Sequence, residues 1–151
     1  MENKPQKAAK LFRQGYNCAQ SVFCAFCDEV GLDFETALKL SSSFGGGMGR
    51  LREVCGTVSA MFLIAGLKYG YTESNNDEIK EEHYTRIQKL AKEFEKRHKT
   101  LICRELLGLD EKHDVPKPEK RTEEYYKTRP CEKFVASSAE IISNYLRQNS
   151  I

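Results

Sequence analysis

The chain has 151 residues, enough for one domain with a sizeable core. Lys and Arg total 24 against 22 Asp and Glu, and the net charge of +2 is spread in interleaved signs, which excludes the basic footprint of a nucleic-acid binder or of a protein held on an anionic membrane. Six cysteines are too few for a disulfide-built secreted scaffold.

The first ten residues, Met1 to Lys10, are polar and carry none of the apolar core of a secretory signal. The longest apolar run, Val58 to Leu67, is too short to cross a bilayer as a helix. The expectation is a cytoplasmic protein without a membrane partner. In a reducing compartment, cysteines at chosen positions point to catalysis or metal binding.

In chain order, a short amphipathic helix is expected around Pro5 to Arg13, ending at Gly15. Asn17-Cys18-Ala19-Gln20 has the form of a capping box and predicts a helix running to about Val30, stopped by Gly31. Asp33 caps a shorter helix through Leu40. The run Gly45-Gly46-Gly47-Met48-Gly49-Arg50 reads as a glycine-rich loop with no regular structure. Leu51 to Tyr69 is apolar on nearly every face, which suits the central helix of a bundle. Asp77 to His98 is amphipathic, with Ile79, Ile87, Leu90 and Phe94 on one stripe. Thr100 caps a short helix from Leu101 to Leu107. Asp110 to Thr128, with Pro116, Pro118 and dense charge, reads as a solvated surface excursion or partial helix. Pro130 starts the last helix, through about Arg147. No alternating β-branched run marks a strand. The fold predicted is all-α, a single-domain bundle of five to seven helices over residues 1–151.

In that assignment Cys18, Cys55, Cys103 and Cys131 each fall at or near a helix start. Unpaired N–H groups and the positive end of the helix dipole favour an anion there, so each thiol is a candidate thiolate. The competing reading is that cysteine is a small hydrophobe that packs. Four repetitions of one electrostatic setting favour sulfur chemistry. Cys24 and Cys27 form Cys-x-x-Cys, but within the second and third turns of the predicted helix, and neither shares the Cys18 face. They are read as accessory or structural thiols.

The glycine run fails as a nucleotide site, since no Gly-Lys-Ser/Thr follows it and no strand precedes it. Gly45, Gly46, Gly47, Gly49 and Arg50 are instead candidates for stabilising a thiolate or small anion through close backbone N–H groups and charge. His83 falls on the apolar stripe of its helix, as a proton relay or, preferably, a core-edge histidine, while His98 and His113 lie in charged surface stretches. Tyr125 and Tyr126 are expected to anchor the excursion.

Tyr16-Asn-Cys18-Ala-Gln-Ser-Val22, Phe44-Gly-Gly-Gly-Met-Gly-Arg50 before Cys55-Gly56, Cys103-Arg-Glu-Leu-Leu-Gly108 and Cys131-Glu-Lys-Phe-Val135 together resemble the C_GCAxxG_C_C family of redox-active proteins. The resemblance spans most of the chain and implies that Cys18, Cys55, Cys103 and Cys131 are the family's four marked cysteines. Thr57 and Ala60 stand where the family motif has Ala and Gly.

The leading expectation is thiol/disulfide chemistry, with Cys55 as the low-pKa nucleophile, Cys18 as its first-choice partner and no organic cofactor. The partner is then a redox protein or a small oxidant, and a homo-oligomer is compatible with the sequence. The alternative is a site in which all four thiolates hold zinc, iron or an iron–sulfur cluster, although their wide separations lack the paired short spacing of zinc ribbons and ferredoxins. A third reading is a helical interaction module whose cysteines only pack.

Overall fold

A computed structural model describes residues 2–110 and 114–150. His113 lies outside the described residues. The fold is all-α, as expected, and the described residues contain no strand beyond one isolated antiparallel bridge between Val54 and Ile102.

Side-chain caps set five of the ten α-helix starts among the described residues. In α1 (Lys4–Arg13), Asn3 and Gln6 form a reciprocal capping box, and in α2 (Cys18–Cys24) Asn17 and Gln20 do the same. Asp33 caps α4 (Phe34–Ser41) and Asn76 caps α7 (Asp77–His98) through side-chain oxygens that accept from the fourth residue of each motif. The helix predicted from Asn17 to Val30 is broken: α2 ends at Cys24, and a separate turn, α3 (Cys27–Val30), follows. Ala25 and Phe26 at the break are fully buried, so tertiary packing overrides local helical spacing there. Cys27 thus opens α3 and does not continue α2.

The longer helices build the bundle around α6 (Gly56–Tyr69), which contacts α2, α10 (Cys131–Gln148) and α7. Val58, Ala60, Met61, Ile64 and Ala65 of α6 are completely buried. Each large side chain removed from water in this way contributes about 1.5–3 kcal/mol. The α1 helix lies along α10, and Phe12 packs beneath Tyr125 and Tyr126. Two short helices, α8 (Cys103–Leu106) and α9 (Glu123–Thr128), cap one end of the bundle. No helix among the described residues is long and apolar enough to cross a membrane.

The glycine run has more order than a loop. A short 3-10 turn (Ser42–Phe44) leads into α5 (Gly45–Met48), and the next φ angles are +69° at Gly46, +70° at Gly47, +72° at Met48, +61° at Gly49 and +68° at Arg50. With Gly49 N–H donating to Gly45 O at 2.9 Å, this is about one turn of left-handed helix. Glycine adopts that hand freely, whereas an L side chain costs roughly 1–2 kcal/mol per residue. The reversed turn delays the start of α6 to Gly56, five residues later than expected. Residues 53–55 lead into α6 and pair with residues 101–103 at the start of α8.

Gly47 is packed on every side. A Cβ there would lie 2.6 Å from Cys103 Cβ and 2.9 Å from Glu53 N. Gly47→Ala is therefore expected to lower the unfolding free energy by about 2 kcal/mol or more in urea titrations. Gly66→Ala, in the middle of α6 with nothing within 4 Å of the new methyl, is expected to be neutral or to stabilise by up to ~1 kcal/mol. Equal effects of the two substitutions would contradict this description of the turn.

Candidate functional site

Cys18, Cys55, Cys103 and Cys131 line one cavity of about 300 Å³. Each stands at a helix start. Cys18, Cys103 and Cys131 are the first residues of α2, α8 and α10, and Cys55 is the cap residue of α6. Cys55 thus precedes its helix instead of sitting in the first or second turn, and Cys103 opens a helix that starts two residues later than expected.

Two backbone hydrogen bonds join the distant segments. Cys55 N–H donates to Leu101 O at 2.8 Å, and Cys103 N–H donates to Glu53 O at 2.6 Å. This clasp fixes Cys55 and Cys103 beside each other across the bridge. Cys18 is brought in by close packing: a Cβ on Gly56 would lie 2.7 Å from Cys18 Sγ and 2.6 Å from Phe44 O, so only glycine lets α6 start this close. Backbone N–H groups of Gly46 and Ala19 point at the Cys18 sulfur. Cys131 interacts with the Tyr125 hydroxyl. Gly45, Gly46, Gly49 and Arg50 face the cavity, while Gly47 lies behind it against Cys103.

The electrostatics differ from the sequence expectation at three sulfurs. Burial pushes the Cys18 and Cys55 thiols up, and it pushes Cys131 up to about 11; mutual repulsion between the sulfurs adds to the shift. A helix start therefore does not by itself make these groups thiolates, because burial opposes the charge at each of them. Cys55 is 6% exposed, and its sulfur shares a hydrogen bond of 3.1 Å with Thr57 Oγ1, which accepts from Ser138 Oγ at 2.9 Å. The Thr in place of the family's Ala thus belongs to a buried polar chain.

Cys103 is placed differently. Arg52 Nη1 donates to Cys103 Sγ at 3.6 Å, and Arg52 Nη2 pairs with Asp114 Oδ2 at 3.2 Å. Arg52 is 3% exposed and has φ +59°, an unusual backbone region for arginine. Burial works against its charge, but the sulfur and the carboxylate offset that and raise its pKa above the ordinary value. Asp114 also holds Arg50 at 2.9 Å, and Arg50 Nε donates to Val115 O at 2.7 Å.

The part of the excursion from Pro116 onward covers the cavity and is not merely solvated. Pro116, Pro118, Glu119, Arg121, Tyr125 and Arg129 all line it. Arg121 donates to Phe12 O at 3.0 Å and to Tyr16 O at 3.1 Å, and its guanidinium lies 4.2 Å from the centre of the Phe12 ring. It ties the excursion to the carbonyl end of α1. Tyr125 contributes to the site as well as anchoring the chain; burial and the neighbouring Cys131 push its hydroxyl up to about 12.

The sequence marks Tyr125 only as an anchor of the excursion and gives Asp114, Arg121 and Arg129 no signal beyond the dense charge between Asp110 and the last helix. Cys24 and Cys27 lie outside the cavity, next to each other across the α2–α3 break. His83 bonds to Arg86 at 3.0 Å and stacks on Tyr71, away from the sulfurs. His98, in its charged stretch, is half-buried: it packs on Phe94 and Phe134 and bonds to Ser137 Oγ at 2.9 Å.

The C_GCAxxG_C_C family profile, described as "Putative redox-active protein", matches residues 16–145, and the chain belongs to that family. No curated protein and no solved structure matches the chain. Among the described residues, no three His, Cys, Asp or Glu side chains are grouped closely enough to hold a metal ion.

The raised thiol pKa values link stability to pH. Cys131 titrates at 9.0 when unperturbed and at about 11 in the fold, while burial pushes Cys24 to about 12. Above pH 9 the unfolded chain loses these protons while the folded chain keeps them, so their contribution is intact below pH 9 and declines as pH rises toward 11. Urea unfolding under reducing conditions is expected to show a larger pH 9 to 11 loss in wild type than in a Cys24→Ala/Cys131→Ala variant. Equal slopes would contradict the assignment.

Proposed function

We propose that this chain is a thiol–disulfide redox protein whose reaction centre is the cavity shared by Cys18, Cys55, Cys103 and Cys131. The observation that carries the reading is a buried guanidinium in contact with one of four sulfurs gathered from distant helix starts. A cation at hydrogen-bond range stabilises negative charge on sulfur, and the thiolate is the form that attacks disulfides. The nucleophile is accordingly Cys103.

In the first step the Cys103 thiolate attacks one sulfur of a substrate disulfide. A mixed disulfide forms and one substrate thiolate leaves. Cys18, after losing its proton to solvent, then attacks Cys103 Sγ and releases the second substrate thiolate. The protein gains one disulfide, the substrate is reduced to two thiols, and two electrons pass from protein to substrate. Cys18 is taken as the partner because it lines the same cavity as Cys103, and repulsion between the two sulfurs contributes to the raised Cys18 pKa. Cys55 and Cys131 are the remaining sulfurs through which the bridge exchanges, and Arg52 remains as the counter-ion.

Stoichiometric diamide oxidation of the reduced chain followed by peptide mass mapping is expected to give a Cys18–Cys103 disulfide. Cys103→Ser should reduce the oxidation rate by tenfold or more, and Cys24→Ser should leave it unchanged. Oxidation undiminished in Cys103→Ser would overturn the assignment, as would a stoichiometric metal that blocks all four thiols in the purified protein.

A further inference from the structure

Arg52 offers more hydrogen-bond donors than the protein uses. A guanidinium has five N–H groups. Nη1 serves Cys103, Nη2 serves Asp114, and Nε is buried with no partner. Leaving such donors unpaired in a buried site is costly, and the strained backbone at Arg50 and Arg52 adds to that cost. Arg52 thus keeps donor capacity for a further acceptor.

The surrounding charge has a sign. Arg50, Arg52, Arg121 and Arg129 face the cavity, whereas Glu119 and Asp114 are the carboxylates placed against them among the described residues. The excess is cationic. Phe12, Leu106, Leu107, Pro116, Pro118 and Phe134 supply apolar walls, so the space suits a compact organic anion better than a bare hydrated ion. At about 300 Å³, it holds a small molecule and not a folded protein partner.

We infer that the cavity binds a small carboxylate-bearing sulfur compound, a low-molecular-weight thiol or its disulfide, with the carboxylate held by the arginines and the sulfur directed at Cys103. This inference rests on the redox reading above and names its substrate class. The exchange follows the same balance: the bound disulfide supplies the oxidising equivalent and leaves as two thiols. Guanidinium–carboxylate pairing would orient the disulfide and favour anionic over cationic substrates with the same sulfur chemistry.

Two measurements test the inference separately from the redox reading. The first compares oxidation of the reduced protein by dithiodiglycolate, an anionic disulfide, and by cystamine, a cationic one, each rate normalised to that with a free cysteine peptide. Dithiodiglycolate is expected to react at least tenfold faster in wild type, with the preference falling at least threefold in Arg52→Gln and in Arg129→Gln. The second measures binding of thiodiglycolate, the redox-inert thioether, by calorimetry. Binding is expected in wild type and should weaken tenfold or more in Arg52→Gln. Arg129→Gln, at a less buried position, gives the same readout should Arg52→Gln fail to fold. Equal normalised rates for the two disulfides with no thioether binding would overturn the inference and leave the redox reading standing. Thioether binding without oxidation by either disulfide would overturn the redox reading alone.

Discussion

The contact between the Arg52 guanidinium and the Cys103 sulfur holds together three parts of the molecule that the sequence keeps far apart. Arg52 follows the left-handed glycine turn, Cys103 opens α8, and Asp114, on the other side of the same guanidinium, belongs to the excursion. A buried cation is tolerated only when it is paired and hydrogen-bonded. The turn, the clasp between residues 53–55 and 101–103, and the excursion therefore have to form together.

This constraint explains why the reversed turn carries non-glycine residues. Met48 and Arg50 each sit at a positive φ that costs energy, yet Arg50 is anchored by Asp114 and by Val115 O. The turn aims Arg50 and Arg52 toward the sulfurs, which a right-handed continuation into α6 would not do. Gly47 leaves room for Cys103 behind the turn, and Gly56 leaves room for Cys18 in front of α6. Two missing side chains thereby set the approach of two reactive ones.

What was legible in the sequence was local. The Asn17–Gln20 box and the Asp33 cap are decided within four residues, and both form as expected. The starts at Cys18 and Cys131 could be read for the same reason, since each depends on its nearest neighbours, whereas those at Cys55 and Cys103 lie later than the local pattern suggests. The break at Ala25–Phe26 has no glycine or proline to announce it and comes from burying both residues in the core. The late start of α6 follows from pairing with a segment nearly fifty residues away, which no local window contains. Arg121 reads as solvated charge because a sequence shows that a side chain is cationic, not which ring or carbonyl it meets. The helix dipole at each cysteine is a local feature, whereas the burial that raises the Cys18, Cys55 and Cys131 thiols is set by packing between distant segments.

Competitive alkylation of the reduced chain at neutral pH, read by peptide mass mapping, tests most directly whether the guanidinium selects the reactive sulfur. The account predicts that Cys103 is labelled ahead of Cys18, Cys55 and Cys131, and that Arg52→Gln removes that lead while circular dichroism shows the helices intact. Labelling led by Cys55, or an order that Arg52→Gln leaves unchanged in a folded protein, would contradict it.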